Sequence, residues 1–68
     1  MDKDWVVVYE TDQEYQAEIA REVLENNGIK AVVFNQKDSS YKAFGAIKVY
    51  VHQDNGEKSV ELLKELRN

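Results

Sequence analysis

The chain has 68 residues, a net charge of −4 and neither cysteine nor proline. A length of this order makes one domain, expected over residues 1–68, burying only about 60% of the surface its unfolded form exposes. The acidic balance works against phosphate-backbone binding, no disulfide or thiolate metal site can form, and no run of about 18 apolar residues is present to span a membrane.

Met1-Asp2-Lys3-Asp4 is too acidic to open a secretory signal, so a cytoplasmic protein is expected. Trp5-Val6-Val7-Val8-Tyr9 is β-branched and aromatic and predicts a strand. Thr11-Asp12-Gln13-Glu14 has the capping-box pattern, in which the Thr11 hydroxyl accepts the Glu14 N–H and the Glu14 side chain reaches back. The helix that follows runs to about Asn27, with Ala17, Ile19, Ala20, Val23 and Leu24 on one face. Gly28 supplies its left-handed stop. Residues 29–35 read as a second strand and 36–45 as a polar connection with Asp38-Ser39-Ser40 as its turn. Residues 46–51 alternate as a third strand. Asp54, with Glu57 three residues on, is placed to cap a last helix carrying Val60, Leu62, Leu63 and Leu66.

The order β-α-β-β-α calls for a right-handed crossover in its first unit. Burial of both helices on one face gives a two-layer α+β sandwich. The natural arrangement is half-open and ferredoxin-like, a three-stranded sheet in the order 1-3-2. Strand alternation then sorts the side chains. Val6, Val8, Ile29, Ala31, Val33, Ile47, Val49 and Val51 point inward, while Trp5, Val7, Tyr9, Lys30, Val32, Phe34, Lys48, Tyr50 and His52 point outward. An uncovered sheet face usually turns polar. This one is rich in aromatics, as a face covered by something else would be.

Charge is divided unevenly. Residues 1–29 hold eight acids and two bases, whereas 30–52 hold four lysines against Asp38. The turn Glu10–Glu14 lacks the glycines that let backbone approach a phosphate, and its three carboxylates repel anions, so it builds the fold. Glu14, Glu18, Glu22 and Glu25 form an acidic stripe that Arg21 partly offsets; it reads as a solvated face, or as a docking face for a basic partner. His52, near Asp54 and Tyr50, lacks a third ligand and reads as a surface group, so no metal and no cofactor are expected. Aromatics on an open sheet also suit base stacking, but the acidic charge and the missing glycine-aromatic signature on the third strand argue against RNA. No Ser/His/Asp or Cys/His set exists, and a non-enzyme is expected.

Taken together, Val8-Tyr9, Ala17-Glu18-Ile19, Leu24-Glu25 before Asn27-Gly28-Ile29, Ala31-Val32-Val33, and Val49-Tyr50-Val51 leading into Glu57-Lys58-Ser59-Val60-Glu61-Leu62-Leu63 carry a resemblance over roughly residues 6–66. The chain resembles the putative prokaryotic signal-transducing proteins, a family that implies a ferredoxin-like βαββα fold related in outline to nitrogen-regulatory PII proteins. It departs from that family in the middle loop, where Ser39, Ser40, Tyr41 and Phe44 stand in place of glycines and proline.

Two functions are open. The first is a binding or regulatory module acting through its sheet face, as a homodimer or on a protein partner, with Trp5, Tyr9, Val32, Phe34, Lys48 and Tyr50 in the interface. The second is a small-ligand sensor, with Lys37, Ser39, Ser40 and Lys42 of the 36–45 loop closing over an anion or nucleotide.

Overall fold

In the computed structural model, which describes residues 4–35 and 46–67, the chain runs through β1 (Trp5–Thr11), α1 (Glu14–Asn26), β2 (Ala31–Asn35), β3 (Ile47–His52) and α2 (Gly56–Leu62). Short 3₁₀ segments at Gln53–Asn55 and Lys64–Arg67 flank α2. β3 lies between β1 and β2 and is antiparallel to both, which is the half-open ferredoxin-like α+β arrangement.

The alternation of β3 defines the core. Ile47, Val49 and Val51 are at most 1% exposed and meet Ala17, Ala20 and Leu24 of α1 and Leu63 beyond α2. Two alanines on the buried side of α1 let that helix lie close to the sheet. Each large aliphatic side chain buried this way contributes about 1.5–3 kcal/mol before conformational entropy is charged. α2 sits on the same side, close enough that a Cβ added at Gly56 would lie 3.4 Å from Val6 Cγ2.

β1 does not keep a simple alternation. Val7 stands opposite Tyr50, yet Tyr9 stands opposite Val49, so Val8 is an extra residue in the ladder. Such a bulge advances the strand by one and exchanges the two faces beyond it. Tyr9 therefore turns toward the helices, 7% exposed, with its hydroxyl donating to Gln16 Oε1 at 3.2 Å. Glu10 takes the outer position, 3.7 Å from Lys48 Nζ. The outward placement of Tyr9 expected from strict alternation is thus corrected.

Helix ends show a similar mixture. The capping box is not made, because Thr11 belongs to β1 and pairs with Ile47. Its Oγ1 accepts the Gln13 N–H at 3.0 Å, while the Glu14 carboxylate accepts from Asn35 Nδ2 at 3.0 Å and ties α1 to the end of β2. Asp54 does not cap α2 either; it lies in the 3₁₀ turn, and its N–H donates to His52 Nδ1 at 3.2 Å. Ile19, grouped above with the buried face of α1, is 38% exposed, since two residues of helix carry it roughly half a turn round from Ala17, to the side opposite Ala17, Ala20 and Leu24.

The far end of α1 is as expected. Gly28 has φ +78°, its N–H donates to Glu25 O at 3.0 Å, and the Ile29 N–H donates to Leu24 O at 2.9 Å. These are the two bonds of a Schellman stop, with Ile29 and Leu24 buried together beneath it.

Two stability predictions follow from these details. Gly28→Val should destabilise by about 1–3 kcal/mol in a denaturant titration, and because no atom lies within 4 Å of the added Cβ the cost is one of backbone alone. Gly28→Asn should lose less, and equal stability of Gly28→Val and the parent would contradict the left-handed stop. Ser59 is fully buried and its Oγ has no partner among the described residues. Ser59→Ala should therefore leave stability unchanged or raise it by about 1 kcal/mol; a clear loss on thermal melting would show that the hydroxyl is hydrogen-bonded.

Candidate functional site: the outer face of the sheet

The registers of β1 and β2 against β3 arrange the outward side chains in three rows. Trp5 stands beside His52, Val7 and Val32 flank Tyr50, and Glu10 and Phe34 flank Lys48. The middle row is therefore Val7–Tyr50–Val32, a valine on either side of a central tyrosine. Both described helices pack on the opposite face. On this face Phe34 is 44% exposed and Val7 39%, with Trp5, Val32, Lys48 and Tyr50 half-buried.

One ring contact lies within a row and another joins two rows. The Trp5 and His52 rings meet edge to face, 6.1 Å apart at 76°, and Phe34 leans on Tyr50 at 6.4 Å. Such pairs fix aromatic side chains in one geometry and add about 0.5–1.5 kcal/mol beyond area. Charge sits at two corners. Lys48 reaches Glu10, and His52 Nδ1 lies 3.4 Å from Asp54 Oδ2 while accepting the Asp54 N–H. Apolar surface occupies the middle and ionic groups the border, the distribution found in protein contact surfaces.

Five of the expected interface residues, Trp5, Val32, Phe34, Lys48 and Tyr50, share this face, and Tyr9 does not. Val7, Glu10 and His52 complete it. Val7 and His52 follow from alternation alone, whereas Glu10 needs the bulge. Lys37, Ser39, Ser40 and Lys42, the residues of the ligand-loop expectation, lie outside the described residues. Among the described residues there is no group of three or more His, Cys, Asp or Glu side chains that could hold a metal ion. Nor is any described helix long and apolar enough to cross a membrane.

Away from this face, α1 carries its own charge network. Arg21 donates to Glu18 at 2.7 Å and reaches Glu25 at 3.5 Å. Its pKa is raised first by the Glu18 hydrogen bond and then by the charges of Glu18 and Glu25. Both pairs are exposed, so their contribution to stability is small.

No curated protein and no solved structure matches the chain. A family model matches residues 5–67, a span that takes in the whole sheet, both helices and the stop at Gly28. The chain belongs to the family described as "Putative prokaryotic signal transducing protein".

Proposed function

We propose that this protein is a non-enzymatic signalling module that works by self-association through the outer face of its sheet. The observation that carries the reading is the apolar row Val7–Tyr50–Val32 at the middle of a face bounded by ionic groups. A two-fold axis parallel to the sheet and passing through Tyr50 lays that row on its own copy, whether the axis runs along the strands or across them. Tyr50 then meets Tyr50 at the centre, where hot-spot aromatics lie in protein interfaces.

The magnitudes favour a weak, reversible dimer. A large aromatic carries about 150–250 Å², and removal from water is worth about 25 cal/mol per Å². Trp5, Phe34 and Tyr50 are in part already covered by their neighbours, so three strands offer less than the roughly 800 Å² per partner of a standard interface. Association in the high micromolar range is the expectation, a strength suited to a contact that must form and dissolve with concentration.

Sedimentation or light scattering from micromolar to millimolar protein tests this. The parent should pass from monomer to dimer, and Tyr50→Glu should remain monomeric with unchanged far-UV circular dichroism. Tyr9→Phe, which removes only the bond to Gln16 on the helix side, should dimerise like the parent. A parent that stays monomeric at millimolar concentration would falsify self-association.

A further inference from the structure

A second apolar surface lies on the other side of the molecule, on α1. Tyr15 is 60% exposed and Ile19 38%, and one helical turn separates them on the side turned away from the sheet. Beside them a cleft of about 580 Å³ opens between α1 and β2, floored by Ala17, Val33 and Ile47 and edged by Tyr15, Glu14 and Glu18. An aromatic and a branched aliphatic side chain left in water next to a concave apolar floor form the elements of a docking surface.

The charges decide what fits. α1 carries Glu14, Glu18, Glu22 and Glu25 against Arg21 alone. Arg21 is shared between Glu18 and Glu25, and Glu14 is met by the neutral amide of Asn35. The helix therefore keeps a surplus of negative charge around Tyr15 and Ile19. We propose that this face of α1 docks a lysine- or arginine-rich amphipathic segment of another protein, whose apolar side chains cover Tyr15 and Ile19 while its cations pair with Glu14, Glu18 and Glu22. Long basic side chains suit the cleft, since their aliphatic stems can lie over half-buried Val33 with the charged head at the rim, and Tyr15 offers a ring face to a cation.

The test uses a short amphipathic helical peptide of lysine and leucine as probe, and the same peptide with glutamate in place of lysine as control. Amide shifts in nitrogen-15 spectra of the intact protein should move along α1 with the basic peptide and not with the acidic one, more strongly at low salt than at high. Two double variants separate charge from anchoring: Glu18→Gln with Glu22→Gln, and Tyr15→Ser with Ile19→Ser, all at exposed positions. Each should weaken binding by about tenfold or more. If only the glutamate pair matters, the attraction is unspecific and the docking site is overturned. Shifts on the sheet face in place of α1, or binding of the acidic peptide with equal strength, overturn it as well. A change in the oligomeric state of the peptide-free protein on replacing Tyr15 and Ile19 would overturn it too, by making a second copy the occupant. None of these results depends on Tyr50, so the dimer and the docking face stand or fall separately.

Discussion

The extra residue at Val8 governs which side chains the first strand gives to each layer. Before it, Trp5 and Val7 lie outside, and beyond it Tyr9 lies inside and Glu10 outside. One added residue in a period of two exchanges the faces of the strand beyond it. With the bulge, a tyrosine joins the core where its hydroxyl can reach Gln16, and a carboxylate joins the outer face where it can reach Lys48. Without it, Tyr9 would enlarge the aromatic patch, and Glu10 would stand opposite Ile47 on the buried side of the sheet. β1 is also an edge strand, paired with β3 on one side. A bulge twists such an edge and makes it a poor template for indefinite strand addition.

Much of this architecture is legible from the sequence, for identifiable reasons. β3 alternates cleanly between branched aliphatics and polar or aromatic residues, so its two faces and its central position are apparent before any coordinates. Gly28 follows two asparagines and precedes an apolar strand, a context with few alternatives to a helix stop. The bulge is different: it carries no glycine, and Val6-Val7-Val8-Tyr9 is apolar in either parity, so no residue marks where the register slips. The missed capping box has a tertiary cause. Thr11 has a ladder partner in Ile47, and Glu14 has an amide donor in Asn35, a residue 21 positions away that local pattern cannot reveal. The same reasons apply to the outer face. Trp5, Val32, Phe34, Lys48 and Tyr50 follow from alternation, while Glu10 and the loss of Tyr9 follow from the slip.

Two kinds of surface now lie back to back in one thin sandwich, whose smallest Cα extent is 15 Å. The sheet presents aromatics and a little ionic chemistry at its border. The helix presents carboxylates around two apolar side chains. A small two-layer domain has no interior in which to hide a third layer, so any further burial must come from contact with another molecule. The core fits that economy: among the described residues it is aliphatic apart from Tyr9 and the buried hydroxyl of Ser59, and the charged groups able to recognise a partner are kept on the outside.

The middle position of β3 also orders events during synthesis. β1 and β2 emerge first, with α1 between them, yet neither forms its ladder with the other; both wait for residues 47–52. A nascent chain ending before that strand holds a helix and two strands with no backbone partner. Once β3 arrives, it must close a loop of about 40 residues back to β1, a slow kind of contact because the entropy of closure precedes the pairing. Up to that moment Trp5, Val7, Val32 and Phe34 are unshielded on unpaired strands, the condition in which newly made chains find one another. β3, made after the other two described strands, is thus the one that turns two exposed segments into a sheet.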